Sequence, residues 1–139
     1  MPGRSIERRR PGLSQIARYA WAAPCTAVGL VPAAFILLSG GSARIHCGVL
    51  EIAVRRTPRQ ASFLFCAITL GHVVIGRDER VLDQVRSHEL QHVRQYECWG
   101  AFFFLAYPAS SLFQLLRGRN PYWFNHFEVE SRKAEKSIQ

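Results

Sequence analysis

Residues 88–92 read His-Glu-Leu-Gln-His, which has the residue types and the spacing of a zinc site. A helix that begins near Asp83 would place His88 and His92 about one turn apart on one face, where both imidazoles reach one metal ion. Glu89 would lie one step around that helix, where its carboxylate can take a proton from an activated water molecule without binding the metal. The spacing therefore predicts Zn2+ held by His88 and His92, with Glu89 as the catalytic base.

A zinc site of this kind needs a third protein ligand. The polar stretch over residues 125–134 has the pattern of a helix and offers two carboxylates, Glu128 and Glu130. Cys98 follows the motif more closely, but on a continuing helix it would lie on a different face from His92, so it is the weaker candidate. One glutamate of the later helix would complete a site of two histidines and one carboxylate.

The composition favours one basic domain and leaves no room for a separate recognition domain. The chain has 139 residues, with 18 Lys and Arg against 10 Asp and Glu and a net charge of +8. Five arginines lie in the first 20 residues, namely Arg4, Arg8, Arg9, Arg10 and Arg18. A basic arm over residues 1–20 could bind nucleic acid or acidic lipid, or it could orient a membrane segment. We favour the last role because of the segment that follows.

Residues 21–41 are predicted to form a membrane segment. No charged residue lies between Arg18 and Arg44. The apolar part, residues 21–39, would span about 28 Å as a helix, close to the hydrocarbon thickness of a bilayer. Its prolines leave a kinked helix or a short hairpin open, and a buried core helix is the alternative to a membrane segment. The preceding arginines would hold the N-terminus in the cytoplasm.

Two β-rich runs, residues 45–54 and 63–76, predict a small antiparallel sheet of two or three strands. Gly71 and Gly76 would make a bulge in the second strand or end it. An edge strand ahead of the motif helix could pair with an extended peptide, or the sheet could simply cover the helix. The fold class is therefore α+β, with the motif helix packed against a further apolar helix and a C-terminal helix.

The remaining histidines and cysteines carry no metal-site spacing. His46 and His72 lie in the predicted strands. Each is expected to be either exposed or buried with its ring nitrogens hydrogen-bonded. The four cysteines are surrounded by apolar residues and are expected to be small buried hydrophobic side chains. A disulfide between Cys47 and Cys66 is possible if their strands pair.

Residues 99–116 form a second apolar stretch that is long enough to span a membrane. If residues 84–116 formed one straight helix, Leu116 would lie about 36 Å along the axis from His92. The twelve residues to Glu128 could then return only if they were nearly fully extended. The chain is therefore expected to reverse, at Gly100 or at Pro108.

The motif, followed at a distance by Phe-Glu-Val-Glu-Ser-Arg at residues 127–132, resembles the gluzincin metallopeptidases. The likeness is to the small membrane-associated kind related to CAAX prenyl proteases, whose second element reads Glu-x-x-Ala-Asp. It implies that Glu128 is the third ligand. Ser131 stands at the usual Ala position and Arg132 at the usual Asp position. The chain is also similar to a group of short bacterial proteins in which Thr-Leu-Gly-His, here residues 69–72, precedes the motif.

The gluzincin resemblance implies a membrane-associated zinc peptidase acting on a peptide or protein substrate, with residues 42–139 as a minimal zincin-like domain. Tyr122 or His126 could stabilise the oxyanion, although each could equally be a surface residue. Two alternatives remain. One is an inactive zinc-binding membrane protein that binds a partner, and the other is a basic nucleic-acid-binding protein without zinc, which the charge pattern favours less.

Overall fold

The computed structural model describes residues 12–55 and 67–137, and these form an α+β fold, as predicted. In chain order the elements are α1 (Leu13–Leu38), β1 (Ser42–His46), β2 (Val49–Ala53), β3 (Ala67–Leu70), β4 (Val73–Gly76), α2 (Glu79–Trp99), α3 (Phe103–Leu116) and α4 (His126–Lys136). Arginines 4, 8, 9 and 10 of the basic arm and Cys66 of the possible disulfide lie outside the described residues.

The four strands form one mixed sheet in the order β1-β2-β4-β3. The β1–β2 and β3–β4 pairs are antiparallel and the β2–β4 pair is parallel, so the prediction of two or three antiparallel strands was wrong in both respects. The difference arises at Gly71, whose φ of +63° permits a tight turn between β3 and β4. A Cβ there would also lie 2.4 Å from the Thr26 backbone nitrogen, so glycine lets α1 approach.

The sheet is the middle of three layers. Ile52 and Val73 pack with Ala33 of α1 on one face. On the other face, Val49 and Val74 pack with Leu82 and Val93 of α2. Strands β2 and β4 are central, so both of their faces are covered and their sequences are almost continuously apolar.

Helix α1 is longer than the predicted membrane segment. It has features of both predicted alternatives, a membrane helix and a core helix. It begins at Leu13 and continues through both prolines. A narrow stripe of small residues faces the protein, namely Ala22, Cys25, Gly29 and Ala33. The other face is apolar and open, with Val31 59%, Phe35 68% and Leu38 87% exposed. Two helical stretches, Ser14–Leu38 and Glu79–Leu116, are long and apolar enough to cross a membrane.

The chain reverses between α2 and α3, as predicted, and it does so at Gly100. This residue has φ of +56°, and a Cβ on it would lie 2.6 Å from the Trp21 ring of α1. Pro108 remains inside α3. The reversal brings the ring centroids of His92 and Tyr107 within 6.2 Å of each other, which a straight helix could not do.

A buried carboxylate joins the sheet to α2. Glu51 on β2 is 3% exposed and accepts hydrogen bonds from Arg86 Nε at 2.8 Å and from Arg44 Nε at 2.7 Å. The exposed carboxylate of Asp83 accepts from the same two arginines. Burial alone would raise the pKa of Glu51, but the hydrogen bonds of Arg86 and Arg44 outweigh it and lower that pKa.

We expect Glu51→Gln to lower the free energy of unfolding by about 1 to 3 kcal/mol, because it removes the charge of a buried hydrogen-bond acceptor that two arginines share. Asp83→Asn is the matched control and should cost much less, since Asp83 is exposed. The contribution of Glu51 is present above its ordinary pKa of 4.5 and is lost as the pH falls through the lowered value. Denaturant unfolding across this pH range measures both effects, and equal losses in the two variants would contradict the prediction.

Candidate metal centre

Helix α2 carries the His-Glu-Leu-Gln-His motif. The Asp78 side chain caps its N-terminus by accepting a hydrogen bond from the Val81 backbone N–H at 2.9 Å. Residues spaced three and four apart then form the buried face, among them Leu82, Glu89, Val93 and Tyr96. The apolar members of this face pack on the sheet and on α3, which fixes the rotation of the helix and the direction of its histidines.

Three side chains converge at one point. His92 Nε2 lies 3.2 Å from His88 Nε2 and 3.3 Å from Glu128 Oε1, and His88 Nε2 lies 3.0 Å from Glu128 Oε2. All the potential ligand atoms are within 4.8 Å of one another, and no other such group is found among the described residues. The structure thus brings together the three residues that the sequence predicted as metal ligands.

Gln95 fixes the orientation of the His92 ring. Its Oε1 lies 2.7 Å from His92 Nδ1, and its Nε2 donates to the Phe127 carbonyl oxygen at 3.0 Å and to Glu130 Oε2 at 2.8 Å. An amide oxygen can only accept, so Nδ1 carries a proton, and Nε2 is the nitrogen that would be deprotonated to bind a metal. No role was predicted for Gln95 from the sequence, so its contact with the His92 ring was missed.

We expect Gln95→Leu to weaken zinc affinity by roughly 10- to 100-fold, because His92 loses the acceptor that selects its tautomer. Gln91→Leu makes the same change on the same helix, at a residue that does not line the cluster, and should leave the affinity unchanged. Competition with a fluorescent zinc chelator measures both. Equal affinities in the two variants would show that Gln95 does not orient the ligand.

Glu128 reaches the cluster because Asn125 positions the start of α4. The fully buried Asn125 side chain accepts from the Phe127 backbone N–H and donates to the Tyr107 carbonyl oxygen and to Ser111 Oγ on α3. The chain reversal at Gly100 is therefore what delivers Glu128 to His88 and His92.

Glu128 is 3% exposed and remains charged. Tyr107 donates its hydroxyl hydrogen to Glu128 Oε1 over 2.6 Å. Burial alone would raise the pKa of Glu128, but hydrogen bonds from His88, His92 and Tyr107 outweigh it and hold that pKa far below its usual range. A permanently ionised carboxylate beside two histidines is suited to a divalent cation.

Glu89 lies beside the cluster without belonging to it. It is 8% exposed, and its Oε2 accepts a hydrogen bond from Thr69 Oγ1 of β3 at 2.6 Å. The carboxylate therefore has a fixed position on the wall of the cleft that contains the histidines. Thr69 was noted in the sequence only as part of a likeness, and its contact with Glu89 depends on β3 packing against α2.

The other acidic and basic residues of α4 have separate partners. Glu130 accepts a hydrogen bond from Gln95. Arg132 occupies the usual Asp position of the resembled pattern, and its guanidinium lies over the Trp123 ring, 4.3 Å from the centroid. A carboxylate of a different residue, Glu135, lies 3.8 Å from His88 Nδ1. A carboxylate near His88 is thus provided by Glu135, about one turn further along α4 than Arg132.

The two candidate oxyanion stabilisers have different positions. Tyr122 lines the cleft, and burial together with the charge of Glu128 raises the pKa of its hydroxyl, which therefore stays protonated. His126 is exposed, packs its ring edge against Phe127 and does not line the cleft. Of the two, only Tyr122 lines the cleft that contains the candidate metal ligands.

The cluster opens into a cleft of about 900 Å3. One wall is β3, an edge strand of the described sheet. Aromatic residues form a second wall, among them Tyr96, Phe103, Phe104 and Tyr107. Residues from α4 line a third side. The cleft is therefore large enough for several residues of a peptide, and the strand edge offers main-chain groups for pairing.

The remaining histidines and cysteines lie away from this cleft. His46 is exposed, whereas His72 is buried, with Nε2 2.9 Å from Glu97 Oε1. Both agree with the expectation of an exposed or hydrogen-bonded histidine. Cys25 is buried as expected, but Cys47 and Cys98 are exposed, so apolar sequence neighbours were a poor guide there.

Comparison of the chain with protein-family models, with curated proteins and with solved structures finds no match. What the site can do must therefore be inferred from its own residues.

Proposed function

We propose that this protein is a membrane-associated, zinc-dependent peptidase. The observation that carries the proposal is the convergence of His88, His92 and Glu128 in an open cleft, with the carboxylate of Glu89 held beside them. Two histidines and one glutamate, with room for a further ligand, is a donor set found in catalytic zinc sites.

The separations of the donor atoms support zinc in particular. Metal–ligand bonds of about 2.0 to 2.1 Å in a tetrahedron give ligand–ligand edges of roughly 3.3 to 3.4 Å. The two histidine Nε2 atoms lie 3.2 Å apart, and each lies close to one of the two Glu128 oxygens, at 3.0 Å for His88 and 3.3 Å for His92. A small tetrahedral cation would fit between these atoms after minor adjustment, whereas Ca2+ prefers more oxygen ligands at longer distances.

Zinc, when bound, would polarise the substrate carbonyl group and acidify a water molecule. Glu89 would accept the proton of the attacking water and pass it to the departing amine, while the Thr69 hydroxyl keeps the carboxylate in place. The protonated hydroxyl of Tyr122 would donate a hydrogen bond to the developing oxyanion. Gln95 would hold the His92 imidazole in its binding orientation.

The apolar outer faces of α1 and α3 support the membrane part of the proposal. Phe35 and Leu38 on α1, and Leu105 and Leu116 on α3, are each more than two thirds exposed. Continuous exposed apolar faces of this kind are usually sites of contact with lipid or with another protein. The excess of arginine ahead of the apolar part of α1 would place the N-terminus in the cytoplasm.

The position of Glu89 also distinguishes a catalytic zinc site from a purely structural one. A structural site has four protein ligands and no use for a neighbouring carboxylate that faces a cleft. Here three candidate ligands are found among the described residues, and Glu89 lines the cleft beside them. This arrangement favours hydrolysis over a zinc-pinned partner-binding module.

Metal analysis and peptide hydrolysis by the detergent-purified protein test the proposal. We expect one zinc per chain, cleavage of a mixed peptide library detected by mass spectrometry, loss of cleavage with a chelator and recovery with zinc. Zinc without cleavage would identify the structural alternative. A zinc-free protein that binds DNA in a salt-sensitive manner would overturn the proposal in favour of the nucleic-acid alternative.

A further inference from the structure

Arg132 lies on the wall of the cleft, although it has no part in the proposed chemistry. It follows Glu128 by four residues on α4, about 6 Å further along the helix axis. Among the described residues that line the cleft, it is the only arginine or lysine. A single positive charge near a metal centre, in a largely apolar cleft, is a candidate for recognition of an anionic group.

Aromatic stacking and one hydrogen bond hold the guanidinium in place. Its Cζ lies 4.3 Å from the Trp123 ring centroid, and Nη2 donates to the Trp123 carbonyl oxygen. No Asp or Glu oxygen within residues 12–55 and 67–137 comes within 4.0 Å of it. Arginine has five N–H donors in a planar fork, so most of them remain for a ligand. The side chain is pre-oriented and has no described carboxylate partner.

The surrounding charges allow an anion at this end of the cleft. Glu89, Glu128 and Glu135 are the acidic residues that line the cleft. Bound zinc would offset Glu89 and Glu128, which leaves Arg132 to offset Glu135. Arg132 and Tyr122 both line the cleft, so each can donate to a ligand there.

We infer that Arg132 is a specificity-determining residue that binds a carboxylate of the substrate close to the cleaved bond. This inference rests on the proposed peptidase function. A carboxylate matches the planar fork of arginine, since both its oxygens can accept hydrogen bonds at once. Arg132 lies one helical turn from Glu128 and lines the same cleft, so a carboxylate bound to it would belong to the part of the peptide near the cleaved bond. That carboxylate belongs either to the C-terminus or to an Asp or Glu side chain.

The test measures peptide binding to zinc-loaded protein carrying Glu89→Gln, which prevents turnover. The probes are two sets of fluorescein-labelled, six-residue alanine-leucine peptides. The first is a pair that differs only in a free or amidated C-terminus. The second is a set of amidated pairs, each with Glu or Gln at one interior position. Dissociation constants are obtained from fluorescence anisotropy with Arg132 intact, with Arg132→Gln and with Arg132→Lys.

With Arg132 intact, we expect roughly tenfold tighter binding of the charged member of one pair. Preference in the first set identifies a C-terminal carboxylate, and preference in the second set identifies a side chain. Arg132→Gln should abolish the preference and Arg132→Lys should restore only part of it, since an ammonium group lacks the bidentate fork. The control is Arg94→Gln, which makes the same change on the exposed face of α2 and should leave the preference intact.

Zinc content and melting temperature, measured in parallel, confirm that Arg132→Gln remains folded with an intact metal centre. Equal binding within every pair, or a preference that survives Arg132→Gln, would overturn this inference and leave the peptidase proposal standing. Absence of zinc, or absence of binding by every peptide, would instead overturn the proposed function and this inference with it.

Discussion

Glu89→Gln is expected to retain one zinc per chain and to lower kcat for peptide hydrolysis by roughly 100- to 10,000-fold. The substitution removes a proton acceptor but no metal ligand, because Glu89 lies outside the group of His88, His92 and Glu128. The glutamine amide has nearly the same shape and its oxygen can still accept from Thr69, so the cleft should keep its structure. Zinc analysis and steady-state kinetics on the same preparation measure the two effects.

Glu79→Gln provides a matched control for this experiment. It makes the same chemical change on α2, in the exposed first turn, where Glu79 contacts Ser42 and does not line the cleft. Its kcat should equal that of the unmodified protein. Full hydrolysis by the Glu89 variant with zinc bound would exclude the proposed base, and loss of zinc from it would place Glu89 among the ligands.

Glu128→Ala is expected to weaken zinc binding by more than about 100-fold, which exceeds the usual effect of losing a residue that only orients a ligand. It removes one of three donors and leaves Tyr107 without its acceptor. Isothermal titration of the metal-free protein, or chelator competition if the affinity is high, gives the constants. Retention of full affinity would remove Glu128 from the site.

Glu130→Ala is the comparison that makes the preceding result specific. Glu130 lies two residues further along α4 and contacts Gln95, which also donates to the Phe127 carbonyl oxygen. Gln95 should therefore keep its orientation in this variant, and zinc affinity should fall by less than about tenfold. The reverse order of the two effects would show that the register taken from the gluzincin pattern is wrong by half a turn.

The parts of the site that follow from local geometry could be predicted from the sequence. A helix places residues four apart on one face, so the convergence of His88 and His92 needed no tertiary information. The side chains of residues two apart on a helix point about 200° apart, so only one of Glu128 and Glu130 could face the metal. The resemblance favoured Glu128. The start of α2 was misplaced by four residues, at Asp83 rather than Glu79, because the Asp78 cap was not recognised.

The parts that depend on which surfaces meet could not be predicted. Each β-rich run is compatible with several neighbours, and the parallel pair of β2 and β4 joins two strands that are not consecutive in the chain. Thr69 and Tyr107 reach Glu89 and Glu128 only after β3 and α3 have packed against α2 and α4. Gln95 is different, since its spacing of three from His92 on one helix was a signal that could have been used.

The packing of α1 along the domain has a consequence for the order of assembly during synthesis. Tyr19 bonds to Gly48, 29 residues later, Thr26 contacts His72, 46 residues later, and Trp21 bonds to Cys98, 77 residues later. At a translation rate of about 5 to 20 residues per second, roughly 4 to 15 seconds pass between the synthesis of Trp21 and that of Cys98. Glu128 is made later still, so the third ligand joins a scaffold whose first helix, in our proposal, already faces lipid. The side of the bilayer that bears the site is then decided before the site exists.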